Sequence, residues 1–342
     1  MAMHGTTTLM VPVRRRRRAV ARFLAVAFGV FVVGSGSGVT LANLTSSATL
    51  GANAFTTAAS FDTVAPTVSA TVVAKSGQYF AGFTKQGGTY YVYANASDAG
   101  TPASGIASIQ ADVSVLTAGA TAVPLGAGTY TVEGVTYGYR SAALTVRNPL
   151  AAGSRTYTLT STDNAGNSRV QSGSTTTVDN TSPTAADIQT TNGGATVGRI
   201  EQGDTIILTF SEVIDPESIL AGWTGAATDV VVRFADNGNN DTAEVWNAAN
   251  TSQLALGSVN TKANVVSGAA TAGASGTASR MVLDTATSTV TVTLGTVTGG
   301  PLNTDLGNNK MMWSTSASAF DRAGNAMTST TISESGGNDS DF

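Results

Sequence analysis

The chain has 342 residues, a formal net charge of −4, no cysteine and a single histidine, His4. The length suffices for two ordinary domains, and the lack of cysteine excludes disulfide-stapled domains and thiol catalysis. His4 lies in a segment that we expect to be removed, so histidine bases, catalytic triads and the usual zinc sites are excluded as well. Only 12% of residues are charged, and this composition favours short strands joined by small-residue turns. We therefore expect a protein that is not an enzyme.

The first 42 residues have the pattern of an export signal. A basic run, Arg14–Arg18, precedes an apolar stretch over residues 19–33, and small residues lead to Thr40-Leu41-Ala42. We predict a signal peptide over 1–42, with an uncleaved signal anchor as the alternative and the only route to membrane contact. The leader holds six of the 18 basic residues and none of the 22 acidic ones, so its removal leaves a net charge of −10. Such a surface repels nucleic acid.

Residues 43–63 precede the first domain, and this segment is uncharged and β-prone up to Phe61. Ala42-x-Leu44-Thr45 and Asn53–Ala58 resemble the start of exported proteins with SipW-type signal peptides, a group that includes camelysin and TasA-like matrix proteins. The resemblance implies export and a biofilm or envelope setting. A β-prone strand outside a domain can also complete the open sheet edge of a neighbour, which would make residues 43–61 a donated strand in a fibre. The alternative is a linker or a strand folded back on the first domain.

Two short motifs occur twice in the same order. The start motif is Asp62–Thr67, repeated as Asp179–Thr184, and the end motif is Asp163–Asn167, repeated as Asp321–Asn325. This order predicts two tandem domains of one type, over residues 64–178 and 179–334, followed by a disordered tail over 335–342. In the end motif, Asp and Asn bond nearby backbone and Gly accepts positive φ, so we predict a tight turn between strands.

Strand-like runs separated by turn clusters fill the first domain and indicate an antiparallel sandwich. The predicted strands are 67–74, 89–96, 106–116, 142–147 and 155–161. Clusters at 98–102 and 125–128 are predicted turns. In the second domain the predicted strands are 203–212, 230–234, 243–246, 281–283 and 288–294, and residues 261–279 are predicted to be an extended surface loop.

Several of these segments resemble bacterial Ig-like domains. Ser97–Gly100 with Ser104–Ala107 is similar to the turn before a middle strand of that family, and Tyr157-x-Leu159 precedes the end motif as its penultimate strand does. Leu208–Glu212 resembles a strand of one subfamily. The resemblance implies an all-β protein with two tandem Ig-like antiparallel β-sandwich domains. It also implies a bacterial, secreted or envelope-associated protein with a structural or adhesive role.

A tyrosine corner is a further expectation for the first domain. Tyr157 would bury its ring and place its hydroxyl on backbone. The second domain has Thr315 at the equivalent position, so we expect Trp313 or Phe320 to fill that space.

Oxygen-rich turns suggest two places for calcium, the only cofactor that we consider. The loop Asp236–Asp241 supplies Asp236, Asn240 and Asp241, and the domain junction supplies Asp179 and Asn180, with the turns at Asp98 and Asp163 as further donors there. Neither is an EF-hand, and Asn, Asp and Gly favour turns without a metal.

Other site chemistry is less well supported. A Lys–Asn crosslink would have to use Lys75, Lys85, Lys262 or Lys310, and solvated lysines are the simpler interpretation. Trp223, Trp246 and the tyrosines offer aromatic faces for sugars, although aromatic residues in sandwiches usually belong to the core. The expected partners are other surface or matrix proteins, cell-wall polysaccharide, or further copies of this chain.

Overall fold

A computed structural model describes residues 48–50, 53–55, 61–75, 80–305 and 309–337, and the chain divides into two units, 1–59 and 60–342. The first unit contains an antiparallel pair, β1 (Ala48–Leu50) and β2 (Asn53–Phe55), with Ala48 opposite Phe55. The predicted leader lies outside the described residues. In the part of the chain that is described, no helix is long and apolar enough to cross a bilayer. A strand donated from residues 43–61 would have to give up the β1–β2 pairing.

The second unit is nearly all β and contains two sheets. The strands of the first sheet are β3 (Thr67–Ala74), β4 (Phe83–Thr84), β5 (Thr89–Ser97), β6 (Ile106–Asp112), β7 (Val123–Val132), β8 (Val135–Ser141), β9 (Leu144–Thr145), β10 (Gly153–Asp163) and β11 (Ser168–Val178). Their order is β3-β5-β8-β7-β6-β10-β11-β4, with β9 paired to β5.

Strand β7 joins the two halves of this sheet. It pairs with β8 along most of its length and with β6 at Val123 and Pro124. The two halves enclose one apolar core, to which Val92, Ile109 and Leu159 contribute from different strands. The first sheet therefore has the sandwich or barrel-like arrangement that the strand-like runs and turn clusters predict.

The elements of the second sheet follow in chain order. They are β12 (Ala185–Thr191), β13 (Thr205–Phe210), α1 (Pro216–Ile219), β14 (Thr228–Ala235), β15 (Thr242–Asn247), β16 (Gln253–Asn260), β17 (Ala270–Ala272), β18 (Ser279–Asp284), β19 (Thr289–Thr293), β20 (Val297–Gly299), β21 (Met312–Ser314) and β22 (Thr331–Ser333). Their order is β12-β13-β19-β18-β14-β15-β16-β21-β22, and β17 pairs with β14 and β20.

Different aromatic residues fill the two cores. Tyr157 is buried as predicted, but its hydroxyl lies 3.3 Å from the hydroxyl of Thr71 rather than on backbone. In the second core, Trp313 is fully buried, packs edge-on against Phe210 with ring centroids 5.1 Å apart, and donates from Nε1 to the carbonyl of Leu256. Trp313, one of the two residues expected to fill space in this core, is thus held there by packing and by an indole hydrogen bond.

Three segments differ from the sequence predictions. Residues 125–128 are not a turn but part of β7, where the register shifts between Ala127 and Tyr130, because glycine also permits a β-bulge. The predicted strand 106–116 ends at Asp112, where the side chain caps the following turn through Ser114. Residues 261–279 are not a surface loop: they contain β17, and Val265 and Val266 are fully buried.

Candidate functional site

The end motif of the first sheet forms a tight turn directly after β10. Asp163 Oδ1 accepts a hydrogen bond from the Asn167 backbone N–H at 2.8 Å, and Oδ2 accepts one from Asn167 Nδ2 at 2.7 Å. Gly166 has φ of +92°, a conformation that other residues adopt at a cost. The Asp, Gly and Asn of the motif are therefore each explained by the turn.

The second end motif repeats this network. Asp321 accepts from the Asn325 backbone at 2.7 Å and from Asn325 Nδ2 at 2.8 Å, and Gly324 has φ of +91°. The two motifs that look alike in sequence thus make the same hydrogen bonds.

Each end motif binds the start motif of its own sheet. Asn167 Nδ2 donates to the carbonyl of Asp62 at 3.1 Å, and Asn325 Nδ2 donates to the carbonyl of Asp179 at 3.0 Å. The carboxylates of Asp62 and Asp179 accept the backbone N–H two residues further on, each at 3.0 Å. The two motifs therefore close the same end of each sandwich, although about a hundred residues or more separate them in the chain.

A third acidic residue joins each pair of aspartates. Asp98 follows β5 directly, and Glu212 lies two residues after β13. Among the described residues, carboxylate oxygens group within 4.8 Å of one another in two triplets. The first cluster is Asp62, Asp98 and Asp163, and the second cluster is Asp179, Glu212 and Asp321.

The first cluster contains an oxygen atom that is not hydrogen bonded. Asp98 Oδ2 accepts from the Gly105 backbone at 2.7 Å, but Asp98 Oδ1 is buried and has no hydrogen-bond partner. Asp62 is better satisfied, because hydrogen bonds from the Val64 backbone and from Ser104 hold its pKa below the usual value. A buried carboxylate oxygen without a donor is costly, and a bound cation is one way to remove that cost.

The second cluster is strained by like charge. Burial, and next the charges of Asp179 and Asp321, raise the pKa of Glu212 to about 7. Burial also raises the pKa of Asp321, whose carboxylate is hydrogen bonded to Asn325. Three carboxylates held this close repel one another unless one is protonated or a cation lies among them.

Basic side chains of the first sandwich lie beside this second cluster. Lys75 Nζ is 3.2 Å from Asp215 Oδ2, with side chains only 19% and 7% exposed, and 3.4 Å from the carbonyl of Asp321. Lys85 Nζ donates to the carbonyl of Gly324 at 2.6 Å. Both contacts join the first sandwich to the end of the second.

Apolar contacts accompany these polar ones. Phe80 packs against the core of the second sandwich, and the Arg322 guanidinium lies over the ring of Phe83 at 4.1 Å from its centroid. The junction contact therefore combines a shielded ion pair with apolar burial, and we use that name for Lys75, Phe80, Phe83 and Lys85 with their partners.

Both clusters have the donors that calcium prefers, which are hard carboxylate oxygens. Each cluster supplies three carboxylates, whereas calcium takes roughly six to eight oxygens, so bidentate carboxylates, carbonyls and water would have to complete the shell. The orphaned oxygen of Asp98 fits this requirement.

The residues predicted to bind calcium are distributed over different surroundings. Asp179 belongs to the second cluster, but Asn180 binds the Gln86 backbone and the carbonyl of Leu150 instead. Asp98 and Asp163 do not reach the junction, because they lie with Asp62 at the other end of β11.

The predicted loop site has its own hydrogen bonds. Asp241 is fully buried, and its two oxygens accept from the backbones of Asn237 and Val266 at 2.7 and 2.8 Å. Asn240 accepts from Lys262 Nζ, and Asp236 accepts from the Gly238 backbone. The loop thus holds Asp241 as a structural carboxylate.

Sequence reasoning did not select Asp62, Glu212 or Asp321 as ligands. The signal was present for two of them, because an aspartate begins both copies of each motif. The partnership of Glu212 could be found only by folding β13 against the junction.

The aromatic candidates are mostly in the core. Trp223 is buried and donates to the carbonyl of Ala226, and Tyr90 is buried against Thr117. Trp246 remains partly exposed on β15.

Neither a protein-family model nor a curated protein sequence matches this chain.

Proposed function

We propose that this chain is a non-catalytic bacterial protein of the cell envelope or extracellular matrix. Its two sandwiches, which we take to be Ig-like, would form a stiff spacer that presents an adhesive surface to other surface or matrix molecules. Export is supported by the pattern of residues 1–42, and the Ig-like assignment by the two end motifs with identical hydrogen bonds.

The observation that carries the proposal is the junction contact. A flexible string of domains needs only a linker, whereas here Lys75 and Asp215 form an ion pair that is largely shielded from water. The Asn180 side chain also ties the linker to the first sandwich. Such contacts restrict the angle between domains, which otherwise move freely by default.

Small-angle scattering from residues 43–342 tests this stiffness. We expect the same maximum dimension at low and at high salt, because salt screens the partly buried Lys75–Asp215 pair less than it would an exposed one. The double substitution Lys75→Ala and Lys85→Ala should broaden the distance distribution. A wild-type chain as flexible as that variant would contradict the proposal.

A second candidate role, calcium-dependent stiffening, is favoured by the buried oxygen of Asp98 and by the crowded second cluster. Calcium titration by calorimetry should show two sites, one lost in Asp98→Asn and one in Glu212→Gln. Asp236→Asn is the matched control, because it removes a carboxylate from the predicted loop site. If only the control lost the heat of calcium binding, the calcium site would lie in that loop and not in the clusters.

A further inference from the structure

The outer face of the second sheet is lined by polar side chains. In β15, Ala243 and Val245 are buried while Thr242, Glu244 and Trp246 are partly exposed. In the neighbouring strands, Arg233 of β14 and Ser258 of β16 are likewise partly exposed, next to buried residues such as Phe234 and Val259. Packing in the core therefore does not account for the polar residues at these partly exposed positions.

Six of these exposed positions lie side by side across the sheet. Because each residue is the direct antiparallel partner of the next, their side chains leave the same face. The cross-strand row consists of Thr271, Arg233, Glu244, Ser258, Ser314 and Thr331. With neighbouring strands ~4.8 Å apart, the row is about 24 Å long.

Hydroxyl–hydroxyl contacts lie at the two ends of the row, and the first of them adds Thr298. The hydroxyl of Thr271 lies 3.2 Å from that of Thr298 on β20, and the hydroxyl of Ser314 lies 2.9 Å from that of Thr331. Each hydroxyl can donate and accept, so the row offers both functions to a ligand along its length.

Two surface depressions meet on this row. One has a volume of about 490 Å³ and is bordered by Glu244, Ser258 and Ser314. The other, of about 290 Å³, is bordered by Thr271, Arg233 and Glu244. Both depressions border Glu244 and so adjoin at this side chain, and we refer to the two together as the groove.

The charged side chains of the groove are held in place by neighbours. The Arg233 guanidinium lies 3.4 Å from the centroid of the Trp246 ring and donates to the side chain and carbonyl of Asn250. Trp246 Nε1 donates to Glu244 Oε2 at 3.2 Å. These contacts orient a cation, a carboxylate and an aromatic side chain before any ligand arrives, which lowers the entropy cost of binding.

We propose that this groove binds one extended strand of an uncharged polysaccharide. A sugar chain presents many hydroxyl groups, which match a row of donors and acceptors, and the edge of Trp246 adds an apolar contact. One arginine beside one glutamate leaves no net charge in the groove, and the acidic chain as a whole repels polyanions. This inference rests on the proposed adhesive role and names its ligand class.

Affinity electrophoresis of residues 43–342 tests the proposal. The probes are hydroxyethylcellulose, glucomannan and dextran as uncharged chains, with alginate as the charged comparison. We expect retardation by at least one uncharged chain. Glu244→Ala should weaken it about tenfold, because a hydrogen bond to a charged group is lost. Ser314→Trp should abolish it by filling the groove.

Ser172→Trp is the matched control, because Ser172 is an exposed serine on β11 of the other sandwich. It should bind as the unchanged chain does. Thermal unfolding of each variant shows whether the fold is retained, and Glu244→Ala keeps the test open if Ser314→Trp does not fold. No retardation by any uncharged chain, retardation by alginate alone, or binding that ignores both substitutions would overturn the proposal. Those results would leave scattering, and hence the spacer role, unchanged.

Discussion

The two carboxylate clusters share the same turn and the same start-to-end hydrogen bond, yet they lie in different surroundings. The first cluster lies beside residues of its own sandwich, such as Gly105 and Ser104. The second has Lys75 and the carbonyl-bound Lys85 of the other sandwich beside it. One motif thus closes a domain in the first case and also joins two domains in the second.

The cores differ in a way that makes this comparison measurable. All eight tyrosines lie in residues 64–178, and all three tryptophans lie in residues 179–334. Tyrosine absorbance therefore reports on the first sandwich and tryptophan fluorescence on the second. If the junction contact couples the two, both signals should change together on unfolding.

The largest effect is expected from removing the turn carboxylates. Asp163→Ala and Asp321→Ala each leave two donors unpaired, and we expect a loss of about 3 kcal/mol in unfolding free energy for each. Denaturant unfolding followed by both signals measures it. Asp321→Ala should also separate the two transitions, whereas Asp163→Ala should not. Equal behaviour of the variants would mean that the second cluster has no special role at the junction.

Calcium binding is expected to have the next largest effect. At a hundredfold excess over its dissociation constant, calcium should stabilise the chain by about 2.7 kcal/mol per site. Because the junction contact should couple the two sandwiches, Asp98→Asn and Glu212→Gln should each remove the stabilisation from one site in both the tyrosine and the tryptophan signal. Identical unfolding in calcium and in chelator would show that the clusters bind no calcium under those conditions.

Breaking the shielded ion pair should have a somewhat smaller effect. Lys75→Met keeps much of the side-chain volume but leaves Asp215 without its cation, for an expected loss of about 2 kcal/mol. Arg280→Met is the control, because the Arg280–Asp229 pair is 63% and 53% exposed and should contribute less than about 0.5 kcal/mol. If both variants lost the same stability, the junction pair would be an ordinary surface pair.

High pH should affect the first sandwich. Burial raises the pKa of Tyr157 to about 12, and of Tyr90 likewise, from 10.0. Because the folded state favours the neutral phenol, its stabilising contribution is complete below pH 10 and is lost as the pH rises to about 12. Tyr157→Phe should reduce this loss, at a cost of about 1 kcal/mol near neutral pH for the contact with Thr71. A pH titration followed by tyrosinate absorbance measures these pKa values. A pKa at the ordinary value of 10.0 would show that the rings are open to water.

The smallest effect is expected from deleting residues 43–61. Their described strands pair with each other, so light scattering should show monomers both for the chain that begins at residue 43 and for the chain that begins at Asp62. Concentration-dependent assembly of the longer chain alone would favour the fibre subunit instead.

Strands with β-branched alternation could be predicted from the sequence. β13 lies within its predicted range because its buried residues repeat every two positions, and β3 matches its predicted range because it is rich in β-branched residues. Residues 261–279 were misjudged because small residues such as Ala270 fill a core when a neighbouring strand covers them. The two turns could be predicted from Asp163 and Asp321. The third carboxylate of each cluster could not, because it comes from a part of the chain that is distant in sequence.

The short pairing of β4 with β11 has a mechanical consequence. It is parallel, it lies at the last two residues before the linker, and the Asp179 N–H adds a further bond to the carbonyl of Thr84. Tension transmitted along the chain from the second sandwich would act parallel to these two strands. The hydrogen bonds between the strands would then be loaded together in shear instead of breaking one at a time. In the proposed spacer, this pairing would keep the first sandwich closed under a load applied along the chain.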